Sequence, residues 1–206
     1  HFLSAGVERI WEMDVEWSKL ILTKSSGVHS IPMSEYALGA MLHFAKQFDK
    51  FIDQSREKRW GRGWLAELAD AELLIIGFGV VGRAVADRAQ ALGMSVQAVA
   101  RTPKIGSGGT SIATIDELPA LLPSADYIVV TVPLTVQTRG LVGADCFRLV
   151  KPGAVLVDMS RGGVVDETAL VAALNEGRLR GAALDVFETE PLPTDSALWN
   201  RDNVLL

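Results

Sequence analysis

From residue 73 onward the chain alternates short apolar runs, rich in β-branched residues, with amphipathic stretches that end in glycine. This is the rhythm of βαβ units around a parallel sheet, because strands covered on both faces read as near-continuous apolar runs. Strands are predicted at residues 73–76, 95–100, 127–132, 154–158, 182–186 and 204–206. Helices are predicted at 80–92, stopped by Gly93, and at 167–176, stopped by Gly177, each glycine supplying a left-handed terminus. Upstream, Met33, Ala37, Leu38, Met41, Leu42, Ala45, Phe48 and Ile52 recur at helical spacing. They predict one long amphipathic helix after Pro32. Residues 19–25 read as a strand, 2–10 as a strand and turn, and 106–110 as a plain Gly/Ser loop. The expected fold class is α/β, a doubly wound parallel sheet.

Composition narrows the class further. A chain of 206 residues that is 49% hydrophobic can bury a sizeable core without a metal or disulfide staple, which excludes disorder and small disulfide scaffolds. The net charge of −5 argues against a general nucleic-acid binder, since such binding rests on phosphate neutralisation. The one basic patch, Arg56, Lys58, Arg59 and Arg62, reads as a solvated helix end. A single cysteine, Cys146, excludes an internal disulfide and fits a reducing compartment. No run reaches the roughly 18 to 20 apolar residues of a membrane-spanning helix, so the expectation is a cytoplasmic protein with no membrane or nucleic-acid partner. The chain opens at His1 with neither Met nor a charged leader, so no targeting peptide is expected and the beginning is expected to be missing.

The sharpest local signal is Gly77, Gly79 and Gly82 in IIGFGVVGRA, which follows a predicted strand and opens a predicted helix. In that context the first glycine permits a tight turn, the second lets amides approach a pyrophosphate, and the third lets helix and strand pack closely. A site for NADH wants a carboxylate at the end of the second strand, to hold the adenine ribose diol. Here the sequence reads Val99, Ala100, Arg101, Thr102. Arg101 can pair with a ribose 2′-phosphate and Thr102 can add a hydroxyl, so the expected cofactor is NADPH (NADP), with NADH as the lesser alternative.

Six segments in order, LSAGVERI, SIPMSEYALGAML, IIGFGVVGRA, VVTVPLTVQTRGLV, VLVDMSRGGVVDETALVAAL and GAALDVFETEPLP, give the chain a resemblance to the D-isomer-specific 2-hydroxyacid dehydrogenase family. The likeness is strongest to its glyoxylate/hydroxypyruvate reductase-like members. It implies a Rossmann NAD(P)-binding domain over residues 31–206, linking helix included, preceded over 1–30 by a remnant of a flavodoxin-like substrate lobe. It also implies NADPH-dependent reduction of a small 2-oxoacid to the D-2-hydroxyacid. By resemblance Arg161 clamps the substrate carboxylate and polarises its carbonyl, and Glu190 holds and charges a histidine, while its neighbour Glu188 is expected to be solvated. Asp185 would bond the nicotinamide carboxamide. Val80 and Val81 would offer amides to the pyrophosphate, Val132, Pro133, Thr138, Met159 and Arg161 would line the cofactor, and Ala5, Gly6 and Val7 would hold the substrate carboxylate. Glu8 stands where the family often has Asp.

His1, His29 and His43 are the histidines present, and none matches the family position, which lies a few residues beyond the strand at 204–206. The catalytic histidine is therefore expected outside this chain. His43 is expected on the polar side of the long helix, and Trp60, Trp64 and Trp199 are expected to serve packing or an interface. That helix resembles the one through which family members dimerise, which implies a homodimer. Formate dehydrogenase shares the fold, but its pattern has glutamine where Glu190 stands. A phosphite-type dehydrogenase or a dinucleotide-gated, corepressor-like binding protein remain as alternatives, the latter disfavoured by Ala100-Arg101, because an NADH sensor would keep an acidic ribose ligand.

Overall fold

A computed structural model describes residues 1, 14–102, 104–106 and 109–206. The residues expected to hold the substrate carboxylate, Ala5, Gly6 and Val7, lie outside the described residues, as do Glu8 and the strand and turn expected at 2–10.

An eight-stranded sheet organises the chain. Its strands are β1 (Glu72–Ile76), β2 (Ser95–Ala100), β3 (Lys104–Ile105), β4 (Ser111–Thr114), β5 (Tyr127–Val130), β6 (Ala154–Asp158), β7 (Leu179–Leu184) and β8 (Val204–Leu205). Their order is β3-β4-β2-β1-β5-β6-β7-β8, and every pairing is parallel except β3 with β4. Chain direction across the sheet reverses at β1, between β2 and β5. This is the switch point of a doubly wound sheet, where ligands bind beyond the carboxyl ends of the strands.

Alternation along each strand divides the core in two. Leu73, Ile75, Val96, Ala98, Tyr127, Val129, Val155 and Val157 face α1 (Ser30–Lys46) and α3 (Val80–Ala91). Leu74, Ile76, Val99, Ile128, Val130 and Leu156 face α4 (Leu118–Leu121), α5 (Ala144–Leu149) and α6 (Glu167–Asn175). Gly93 and Gly177 end α3 and α6 with φ of +83° and +67°, as expected.

The long helix is corrected. It begins at Ser30, before Pro32, and breaks at Gln47, whose φ of 51° and ψ of 48° are left-handed; α2 (Phe48–Arg56) then starts in a new direction. Side chains hold the break. Gln47 Nε2 donates to the Trp64 carbonyl (3.1 Å), Lys46 Nζ donates to that of Ala66 (2.8 Å), and His43 Nε2 lies 2.7 Å from Asp49 Oδ2. His43 is consequently not a surface residue; its side chain is 16% exposed and sits edge-on to Phe44 and Phe48. A hydrophobic period cannot register such a break, because Phe48 and Ile52 stay in phase while being about half exposed.

Residues 19–25 form no strand beyond a single bridge at Lys24, and Trp17–Lys19 is a short 3-10 turn. In the stretch expected as a loop at 106–110, Gly106 N–H donates to the Thr110 carbonyl beside the antiparallel pair β3 and β4; residues 107 and 108 lie outside the described residues. Trp60 and Trp64, 94% and 97% exposed, do not pack into this chain's core. Among the described residues no helix is long and apolar enough to cross a membrane.

Candidate functional site

The glycine turn lies at the switch point. Gly77 leaves β1 with φ +108°, donates its N–H to the Val99 carbonyl (3.0 Å) and accepts from Thr131 Oγ1 (2.7 Å). A Cβ on Gly77 would come within 2.8 Å of Val132 Cγ1, and one on Gly82 within 2.1 Å of the Gly77 carbonyl oxygen. Both positions therefore need glycine for close packing. At Gly79, the residue before α3, a Cβ would meet nothing within 4 Å, and no side chain caps the helix. Open space thus faces the first amides of α3, those of Val80 and Val81, and the cradle fits a pyrophosphate. Thr131 was not singled out in the sequence; its signal is a hydroxyl closing the apolar run YIVV. Arg101 and Thr102 follow β2 directly and are exposed.

The neighbouring loop consumes much of its own polarity. Thr138 Oγ1 donates to the Pro133 carbonyl (2.6 Å) and accepts from the Thr135 N–H (2.8 Å), which makes Thr138 a brace of the turn beside the cradle. Val132 is part-buried against the Gly77 turn. Met159 is 2% exposed, with its amide donating to the Val130 carbonyl, so its side chain belongs to the core.

The second half of the site comes from β6 and β7. Asp158 pairs in register with Leu184, and Asp185 N–H donates to the Asp158 carbonyl (3.0 Å). Beyond β6, Arg161 directs one guanidinium nitrogen, Nη1, to the Ser160 carbonyl (2.8 Å). Beyond β7, Glu190 Oε1 accepts from the Phe187 N–H (3.2 Å). The two loops touch through backbone, since a Cβ on Gly162 would lie 1.8 Å from the Phe187 carbonyl oxygen. Arg161 and Glu190 are both thereby brought within electrostatic reach of Asp185. Partial burial raises the pKa of Asp185, Glu190 raises it further, and Arg161 draws it down. Glu188 is exposed, as expected, and it also accepts from the Glu167 N–H (3.3 Å).

A buried carboxyl and an enclosed hydroxyl lie close to this rim. Asp158 is 3% exposed and its carboxyl is pushed up to about 6, chiefly by burial, with Asp185 and Glu167 adding to the rise against two hydrogen bonds from Ser160. From α1, the Tyr36 hydroxyl is enclosed and has no hydrogen-bond partner; burial, then Asp185 and Asp158, push it up to about 12.

For Asp158 the sign of the pH effect follows directly. Between its ordinary 3.8 and about 6 the native state holds a proton that the unfolded chain has released, so stability falls as pH rises through that window. The full loss above it is about 3 kcal/mol. Asp158→Asn keeps an oxygen for Ser160 but carries no charge; urea midpoints at about pH 5 and pH 7.5 should differ less than in the parent, with the variant more stable at the higher pH. Equal pH slopes in the two proteins would refute this assignment.

His1 bonds the hydroxyls of Thr23 and Ser25, and His29 precedes α1 as its N-cap. Among the described residues no group of three or more His, Cys, Asp or Glu is placed to hold a metal ion.

A doubly wound sheet with a glycine cradle at its switch point defines a dinucleotide-binding domain. The chain belongs to the D-isomer specific 2-hydroxyacid dehydrogenase family, whose NAD-binding-domain model matches residues 38–206. It is 36% identical over 206 residues to D-3-phosphoglycerate dehydrogenase of Methanocaldococcus jannaschii, covering 97% of this chain and 38% of that one. It is 35% identical over 192 residues to glyoxylate reductase of Pyrococcus furiosus, covering 90% of this chain and 56% of that one. Among solved structures, the D-isomer specific 2-hydroxyacid dehydrogenase of Xanthobacter autotrophicus Py2 in complex with NADPH and MES superimposes with a TM-score of 0.89 at 36% identity, covering 98% of this chain and 64% of that one. The chain thus spans between about two fifths and two thirds of the length of these relatives.

Proposed function

We propose that the intact protein reduces a small 2-oxoacid of the glyoxylate or hydroxypyruvate type to the D-2-hydroxyacid, using NADPH. The observation that carries this reading is that Arg161 and Glu190 both act on Asp185 beyond β6 and β7, at the same carboxyl edge of the sheet as the glycine cradle that ends β1. When bound, the dinucleotide supplies the hydride. Gly77, Gly79 and Gly82, with the amides of Val80 and Val81, hold its pyrophosphate, and Asp185 accepts from its carboxamide. The planar guanidinium fork of Arg161 matches the substrate carboxylate. Glu190 supports the charge of a catalytic histidine, whose position none of His1, His29 and His43 matches. Residues 1–30 are read as part of the substrate lobe and 31–206 as the cofactor domain. A cytoplasmic homodimer is the assembly proposed, supported by the apolar side chains of Phe48, Ile52, Trp60 and Trp64 left exposed on and after α2; a monomer mass in solution would overturn it.

The test is oxidation of NADPH and of NADH by the intact protein with each acid. Turnover should favour NADPH, and Arg101→Ser should raise the KM for NADPH roughly 10-fold or more, the worth of a charge-assisted bond, while leaving NADH nearly unaffected. Equal efficiency with both cofactors would remove Arg101 from its role. Tight NADPH binding without oxidation by either acid would overturn the substrate class.

A further inference from the structure

We infer that Glu188 and Glu167 form a reciprocal latch that sets the reach of the Glu190 loop over Arg161, so that Glu188 is a positioning residue for the reaction. The inference rests on the proposed reduction for its consequence, though not for its geometry. Helix α6 starts at Glu167, after Asp166, whose carboxylate accepts from the Ala169 N–H (2.9 Å). The first amides of a helix have no partner within it. That of Glu167 donates across 21 residues of sequence to Glu188 Oε1 (3.3 Å), and the Glu188 N–H donates back to Glu167 Oε1 (2.5 Å).

Two carboxylates brought this close repel each other. Here each faces an amide N–H, and both lie at the positive end of α6, which offsets the repulsion. The segment carrying Glu190 is therefore pinned from two sides. Gly162 abuts the Phe187 carbonyl from the Arg161 loop, and α6 grips Glu188 one residue later. Glu190, two residues further on, turns back to the Phe187 N–H. With both anchors in place the Glu190 segment is held against the Arg161 loop by one backbone contact and two carboxylate–amide bonds, which is the rigidity a catalytic pair needs.

The experiment compares Glu188→Ala, Glu188→Gln and Glu188→Asp in the intact protein, reading oxoacid reduction and the hydrogen exchange of the Glu167 and Glu188 amides. Alanine removes the acceptor; aspartate keeps the charge but lacks the reach, and secures the comparison if the alanine variant fails to fold. Both should lower kcat roughly 10-fold, hold the KM for NADPH within about twofold, and speed exchange at the Glu167 amide roughly 10-fold, as for one lost hydrogen bond. Glutamine, whose amide oxygen still accepts, should restore most of kcat and of the protection. A glutamine variant as damaged as alanine, or parental kcat in the alanine and aspartate variants, would overturn the positioning role. If the parent reduces neither acid, the proposed reaction falls while amide exchange still decides the latch: unchanged protection in all three variants would refute it.

Discussion

Gly162→Ala is expected to be among the most damaging single-methyl additions in this chain. The new Cβ would sit 1.8 Å from the Phe187 carbonyl oxygen, 2.4 Å from its carbon and 2.9 Å from the Glu188 nitrogen. All three are backbone atoms, so no flexible side-chain tail can move aside, and the Arg161 and Glu190 loops must part by an ångström or more. Overpacking of this kind costs about 2–4 kcal/mol. Displacing one member of a reacting pair by that distance costs about 100-fold in kcat/KM. Gly79→Ala is the informative control. Its Cβ meets nothing within 4 Å, so the fold should melt as the parent does, but the methyl enters the cradle and NADPH affinity should fall. Urea denaturation and NADPH titration of both variants check the contrast. A Gly162→Ala protein with parental stability and turnover would show that the two loops are not in contact.

Arg161→Ala should lower kcat/KM for the oxoacid by about 100- to 1,000-fold, the scale for losing one preorganised charged donor at a reacting carbonyl. NADPH affinity should change only a few-fold, because the cradle lies on β1 and α3 rather than beyond β6. Arg161→Lys should recover little, since a point charge does not reproduce a bidentate fork. The same change carries a pH signature. Arg161 is the group that draws Asp185 down, so its removal lifts the Asp185 pKa, and any activity limb that needs ionised Asp185 moves to higher pH. Steady-state kinetics across pH read both effects. If Arg161→Ala stays within threefold of the parent at every pH, Arg161 is a structural cation and the proposed carboxylate clamp is wrong.

Much of the fold was legible because the sheet is buried on both sides. β1, β2 and β6 fall where uninterrupted apolar runs place them, and the glycines after β1 are spaced by the steric demands of one turn. Legibility failed where a side-chain contact overrides the local pattern. The helix predicted through Ile52 breaks at Gln47 under bonds to Trp64 and Ala66, residues about 20 positions away. The short strands β3, at the sheet edge, and β4, beside it, were absent from the prediction because runs of two and four residues leave little periodicity. The strand predicted at 182–186 is displaced to Leu179–Leu184, since Gly181 sits inside it, packed against Phe44, where a sequence reading places a break.

The site divides in the same way. Arg161, Asp185 and Glu190 were legible one by one as motif residues, as was the cradle of Gly77, Gly79 and Gly82. Their arrangement was not. That Glu188 grips α6, that Thr131 braces the Gly77 carbonyl, and that the Tyr36 hydroxyl and the buried Asp158 both feel Asp185 depends on which loop crosses which strand end. By itself the sequence determined the alternation of strands and helices, the glycine turn and the charged groups at the strand ends, because these follow from local sterics and from the need to bury apolar faces. The tertiary structure alone decided which carboxylates are desolvated, which amides they satisfy and how far Arg161 stands from Glu190, because those properties arise between segments that only the completed sheet brings together.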